Sequence, residues 1–179
     1  MDKAYMCTTS LLRIDLKALH EGENTAAYEL DDAYFKAIAA PDVQKGTLGL
    51  RFKARRTGDL YELDFHVEGV VYVACDICLE EMELPIRNDG KLTARLGDEN
   101  VEDGDMAIVD KEDGVLDASW YVYELIALAI PIKHVHEPGQ CDPAMVAKLQ
   151  QLSADGERSG KVESIDPRWA KLQQLRTED

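Results

Sequence analysis

From residue 47 to residue 96 apolar and polar side chains alternate with a period of two, as in strands that bury one face. Leu48, Leu50, Phe52 and Ala54 fall on one side of the first run, with Arg51, Lys53 and Arg55 on the other. Beyond a Thr57-Gly58-Asp59 turn, Leu63, Phe65, Val67, Val71 and Val73 hold the odd positions, opposite Glu62, Asp64, His66 and Glu68. Gly69 interrupts that apolar face and predicts a bulge or a close backbone approach. Two more runs follow, Met82, Leu84 and Ile86, then Leu92, Ala94 and Leu96. Three or four consecutive strands of this kind predict a twisted antiparallel meander, barrel-like if its ends close.

The flanking segments are patterned differently. Residues 1–30 are weakly patterned apart from Leu12, Ile14 and Leu16, which read as a short half-buried strand. Asp31 or Asp32 caps a short helix carrying Tyr34, Phe35 and Ile38, with Pro41 beyond its end. Met106 to Val109 is expected as an edge strand within an otherwise solvated acidic loop. From Asp117 the period becomes helical, with Trp120, Tyr121, Tyr123, Leu125, Leu128 and Ala129 apolar nearly all round, which predicts a buried helix ended by Pro131. Asp142 and Pro143 begin another helix, with Met145, Val146, Leu149 and Leu152 on one face. The class expected is α+β: one domain over residues 1–152, a flexible linker over 153–165, and a C-terminal helical hook over 166–179. The hook would dock on this domain or on a partner.

A charge of −15 over 179 residues argues at first against nucleic acid as a partner. The charge is uneven, however. Residues 97–117 hold nine acids and one base, whereas residues 45–96 hold nine acids and eight bases. Bulk charge therefore leaves the partner open. Arg51, Lys53 and Arg55 share a strand face, Arg56 is adjacent, and Lys91 and Arg95 share another. If those strands are neighbours, six cations could line a surface suited to phosphate; the plainer alternative is a solvated strand face. The longest apolar run contains a proline and is too short for a bilayer, and the N-terminus lacks the pattern of a signal peptide. A cytoplasmic protein with no membrane partner is the expectation. In that compartment four cysteines favour a metal or reduced thiols over disulfides.

Candidate chemistry centres on Cys75 and Cys78, a C-x-x-C loop between two strands. Two thiols at a tight reversal offer half of a tetrahedral site, and His136 with Cys141 could supply the other half, with His134 as a substitute for His136. Reduced thiols beside a surface histidine remain the bland alternative. A redox dithiol is the second alternative, although such pairs open a helix, whereas here a strand follows. Cys141 with His136 as a nucleophilic pair lacks an orienting acid and an oxyanion loop. Cys7 has no cysteine or histidine near it and reads as a small apolar residue.

Three blocks of the chain resemble the large ribosomal RNA subunit accumulation proteins, the YceD-like family. They are Cys75-Asp76-Ile77-Cys78-Leu79-Glu80, the Tyr123–Pro131 segment running on to His136 and Cys141, and Asp166-Pro167-Arg168-Trp169-Ala170-Lys171-Leu172. The likeness extends roughly from Lys45 to Arg176. It implies a bacterial-type, non-enzymatic ribosome-biogenesis factor that binds large-subunit ribosomal RNA or a ribosomal protein, with no small-molecule substrate. It also implies a metal site, a structural zinc at Cys75, Cys78 and Cys141 with His136 as fourth ligand. The acidity departs from an RNA-holding surface and leaves room for an acidic adaptor of basic ribosomal proteins. The rival from another class is a thiol-dependent redox protein using Cys75 and Cys78.

Overall fold

The computed structural model describes residues 12–98, 101–103 and 106–153, with 101–103 described by their backbone alone. Cys7, nearly all of the expected linker and the expected hook lie outside the described residues. The chain divides into two compact units, Met1–Cys141 and Asp142–Asp179.

The first unit runs β1 (Arg13–Asp15), β2 (Gly22–Leu30), α1 (Asp32–Ala37), β3 (Gly46–Thr57), β4 (Leu60–Ala74), β5 (Glu81–Gly97), β6 (Val101–Asp103), β7 (Met106–Asp110), β8 (Val115–Asp117) and α2 (Ser119–Leu128). Six strands form one sheet in the order β2-β3-β4-β5-β7-β6, and β1 pairs with β8 in a separate ribbon. All pairs are antiparallel except β5 with β7, which is parallel. The class is α+β, as the alternation implied, but the sheet is mixed and open. It does not close into a barrel, because its outer strands β2 and β6 do not meet.

Register explains the core. The apolar residues of β3, β4 and β5 keep one phase, so Phe52 lies opposite Phe65 and Leu63 opposite Leu92. Rings of Tyr28, Phe52, Phe65 and Tyr121 form a row across the inner face, with successive centroids 5.4–6.0 Å apart. Each such ring removes a large apolar area from water and adds a favourable edge or offset contact. Gly69 does not mark a bulge, since pairing runs unbroken through it on both sides. It marks the close approach: a Cβ there would lie 2.3 Å from the Thr47 carbonyl oxygen, and its φ of +155° excludes ordinary side chains.

Several elements differ from the expected ones. β2 lies in the stretch that carried little pattern, because its edge position leaves its outer side chains free to vary. The two runs 82–86 and 91–96 are one 17-residue strand, β5. The strand at Met106 is not at the edge; β7 lies between β5 and β6. α2 is buried on one side only, through Val122, Tyr123, Leu125 and Ile126, while Trp120 and Leu128 face solvent.

Buried polar contacts join the helices to the ribbon. Tyr34 Oη of α1 donates to the Ser119 carbonyl at 2.7 Å, and the Leu12 N–H donates to Ser119 Oγ at 2.7 Å. Burial, the Asp117 charge and Tyr123 together raise the pKa of Tyr34, so its hydroxyl keeps its proton as a donor. In the second unit, α3 (Pro143–Leu152) begins where its sequence says, with Asp142 Oδ1 accepting from Ala144 N–H at 2.9 Å. Of its expected apolar face, Met145 and Val146 are half-buried, and Leu149 and Leu152 are exposed.

Candidate metal centre

β4 ends by carrying Cys75, in phase with the apolar face, into the reversal that leads to β5. The reversal is tied by three bonds: Leu79 N–H to the Cys75 carbonyl (2.9 Å), Cys75 N–H to the Glu80 carbonyl (2.9 Å), and Ile77 N–H to Cys75 Sγ (3.4 Å). Leu79 takes a left-handed φ of +64° to complete it. Both Cys75 and Cys78 are buried. After α2 the chain passes Pro131 and returns along the reversal as an irregular segment, bringing His136 and Cys141 alongside.

The four donor atoms converge. Cys75 Sγ lies 3.8 Å from Cys141 Sγ, Cys78 Sγ lies 3.3 Å from His136 Nδ1, and Cys141 Sγ lies 3.9 Å from the same nitrogen. All four atoms fall within 4.8 Å of one another. A tetrahedral centre with bonds of about 2.3 Å to sulfur and about 2.0 Å to nitrogen separates two sulfurs by about 3.8 Å and a sulfur from a nitrogen by about 3.5 Å. The Cys75–Cys141 edge matches the first value, and the two sulfur–nitrogen edges fall on either side of the second. The set can hold one metal ion, and its three sulfurs and one imidazole suit zinc or another thiophilic ion.

The acid–base character of the thiols agrees with that fit. Burial opposes ionisation of Cys75. The backbone N–H groups of Cys78, His136 and Ile77, with the Cys78 side chain, outweigh it and bring the thiol from 9.0 down to about 6. Burial pushes Cys141 the other way, and with the neighbouring Cys75 and Cys78 sulfurs it raises that thiol to about 11. The surroundings therefore favour ionisation of Cys75 and oppose that of Cys141 beside it. A divalent cation held there would favour the ionised form of both. The three cysteines are unbonded, and the 3.8 Å between Cys75 and Cys141 is far longer than a disulfide of about 2.0 Å.

His134 is not part of the cluster. Its Nδ1 is 3.1 Å from the Pro131 carbonyl and its Nε2 is 3.6 Å from Asp76 Oδ1. Because the segment is irregular rather than a strand, residues two apart do not share a side. Asp76 was not singled out in the sequence; an acid inside the C-x-x-C loop, paired with a histidine two residues before a candidate ligand, was the available signal.

The cations are spread more widely. Arg51, Lys53 and Arg55 lie on the outer face of β3, and Lys91 and Arg95 on that of β5, but β4 separates the two rows with Glu62, Asp64 and Glu68. Arg51 pairs with Glu68, and Lys91 Nζ lies 3.2 Å from Asp64. Arg55 and Lys91 share a hollow of about 280 Å³ with Glu62, Asp64 and Thr93. Arg56 points to the opposite side. It donates to the Leu19 carbonyl at 2.9 Å, lies 3.7 Å from Glu21, and stacks its guanidinium 5.5 Å from the Tyr61 ring centre. No helix among the described residues is long and apolar enough to cross a membrane.

Residues 63–176 match the family model described as large ribosomal RNA subunit accumulation protein YceD, which is well over half of the chain. The chain belongs to the YceD family. Members of that family are non-catalytic accessory factors of ribosome biogenesis. No curated protein and no solved structure matches the chain significantly. All four residues of the cluster lie inside the stretch that matches the YceD family, as do Lys91 and Arg95; Arg51, Lys53, Arg55 and Arg56 precede it.

Proposed function

We propose that this protein is a cytoplasmic, non-enzymatic factor that supports accumulation of large-subunit ribosomal RNA, and that Cys75, Cys78, His136 and Cys141 hold a structural zinc. The observation that carries the reading is the four-donor cluster inside the family-matched stretch. Four protein ligands leave no open position for substrate, which is the arrangement of structural rather than catalytic zinc. The ion would cross-link the β4–β5 reversal to the segment after α2, so the surface that meets the ribosomal partner is held in one shape.

Contact with ribosomal RNA would use the outer face of the sheet. Lys53, Arg55 and Arg95 have no carboxylate within salt-bridge distance among the described residues, and Arg51 and Lys91 could exchange their acids for phosphates. A basic ribosomal protein is the second reading, favoured by the nine acids of residues 97–117. The two separate in one measurement. Changing Arg51, Lys53 and Arg55 together to glutamine should weaken binding to large-subunit RNA and lower its salt dependence, each lost phosphate contact reducing the slope by nearly one. Unchanged RNA binding would remove that face.

Metal content of protein purified without added zinc tests the site. One equivalent of zinc with no redox turnover supports the proposal. A metal-free chain whose Cys75 and Cys78 oxidise reversibly would replace it with a thiol redox protein, a role that the lowered Cys75 thiol favours. Ribosome profiles of a strain lacking the gene should show a deficit of large subunits; normal profiles would overturn the biogenesis reading.

A further inference from the structure

Besides the contacts that the four donor atoms make with one another, a separate set of bonds holds the His136–Cys141 segment against the C-x-x-C reversal. Asp76 N–H donates to the His134 carbonyl at 3.0 Å. His134 N–H donates in return to Asp76 Oδ2 at 2.7 Å, so the carboxylate plays the part that a carbonyl would play in a strand pair. The His134 ring adds a contact on each side, 3.6 Å from Asp76 Oδ1 and 3.1 Å to the Pro131 carbonyl, where a ring N–H must be the donor. Asp76 is next in sequence to Cys75, and His134 lies two residues before His136. One link therefore joins the two halves of the cluster at the level of their main chains.

We infer that Asp76 and His134 form a clasp that sets the ligand segment in place before metal arrives, and that they are positioning residues which fix the affinity of the site. The functional meaning rests on the metal reading above; the clasp itself does not. Ordering a free loop opposes metal capture by the conformational freedom it removes. A segment already clasped has lost that freedom on folding, so more of the ligation energy appears as affinity. Groups that orient ligands from just outside a metal site typically carry 10- to 100-fold in affinity.

The test uses the full chain in reductant, with Zn²⁺ titrated against a competing chelator. Asp76→Ala removes the acceptor for His134 N–H and should weaken Zn²⁺ by about 10- to 100-fold. Asp76→Asn keeps an oxygen at that position and should stay within a few-fold of wild type, a rescue that loss of fold would not allow. Amide exchange on the metal-free wild type gives a reading that needs no variant: the Asp76 and His134 N–H groups should be protected without zinc. Equal affinity of Asp76→Ala and wild type would overturn the inference, as would unprotected amides in the metal-free chain. If wild type takes up no Zn²⁺, the metal reading falls, and exchange alone decides whether the clasp stands.

Discussion

Leu79 holds a φ of +64° with 68% of its surface exposed, so its side chain returns little packing for a backbone setting that disfavours a Cβ by about 1–2 kcal/mol. Leu79→Gly should therefore raise stability by up to about 1 kcal/mol after the entropy of the added glycine is subtracted, read as a higher urea midpoint at constant slope. Tyr61 presents the opposite case, a fully buried ring whose hydroxyl has no hydrogen-bond partner among the described residues. Tyr61→Phe removes that unpaired group at nearly constant shape and should stabilise by about 1 kcal/mol in the same assay. Such details were beyond the sequence, because both depend on where a neighbour stops. Cys75, Cys78, His136 and Cys141 were legible, since sulfur and imidazole have few roles and their spacings limit those. Asp76 was not, because an aspartate in a turn ordinarily satisfies its own backbone.

At the scale of elements, β5 shows how local chemistry misleads. Asn88, Asp89 and Gly90 carry turn preferences, yet the strand passes straight through them. Asn88 and Gly90 keep the inner phase and serve α2 instead. Asn88 Nδ2 donates to the Leu125 carbonyl at 2.9 Å, near the helix end, and Gly90 gives the Leu125 side chain room. Asn88→Ala should cost about 1–2 kcal/mol by leaving that carbonyl without its donor, measured by urea denaturation. The outer face of the same strands carries a pH effect. His66 hydrogen bonds lower the carboxyl pKa values of Glu68 and Asp89, helped at Glu68 by Arg51 and at Asp89 by the Arg87 charge. Groups depressed on folding stabilise above their unfolded values, here near 4.5 and 3.8, and lose that contribution as pH falls through their lower folded values. His66→Gln should accordingly flatten the loss of melting temperature below about pH 4.5, as followed by circular dichroism.

For the whole molecule, the alternation of residues 47–96 carried the α+β class and the central antiparallel strands. The parallel β5–β7 pair and the open edges were hidden, because a period of two records which face is buried and nothing about which neighbour a strand takes. The candidate metal site joins distant parts of the chain, so its effect would be felt by the molecule as a whole. Zinc at a hundred times its Kd adds about 2.7 kcal/mol, and in a chain of this size each kcal/mol moves the melting temperature by about 2–4 °C. Chelation, or Cys75→Ser, should lower that temperature by roughly 5–11 °C in a thermal scan. An unchanged value with full metal occupancy would take Cys75 out of the site.

The 66 positions that separate Cys75 from Cys141 also set a clock. At about 5–20 residues per second, translation delivers the second half of the cluster about 3–13 s after the first. During that interval the leading thiols stand in the cell with two partners still unmade. Completion of the cluster then reports that β5, β7 and α2 have all been made, which makes the last cysteine a timestamp on a finished first unit.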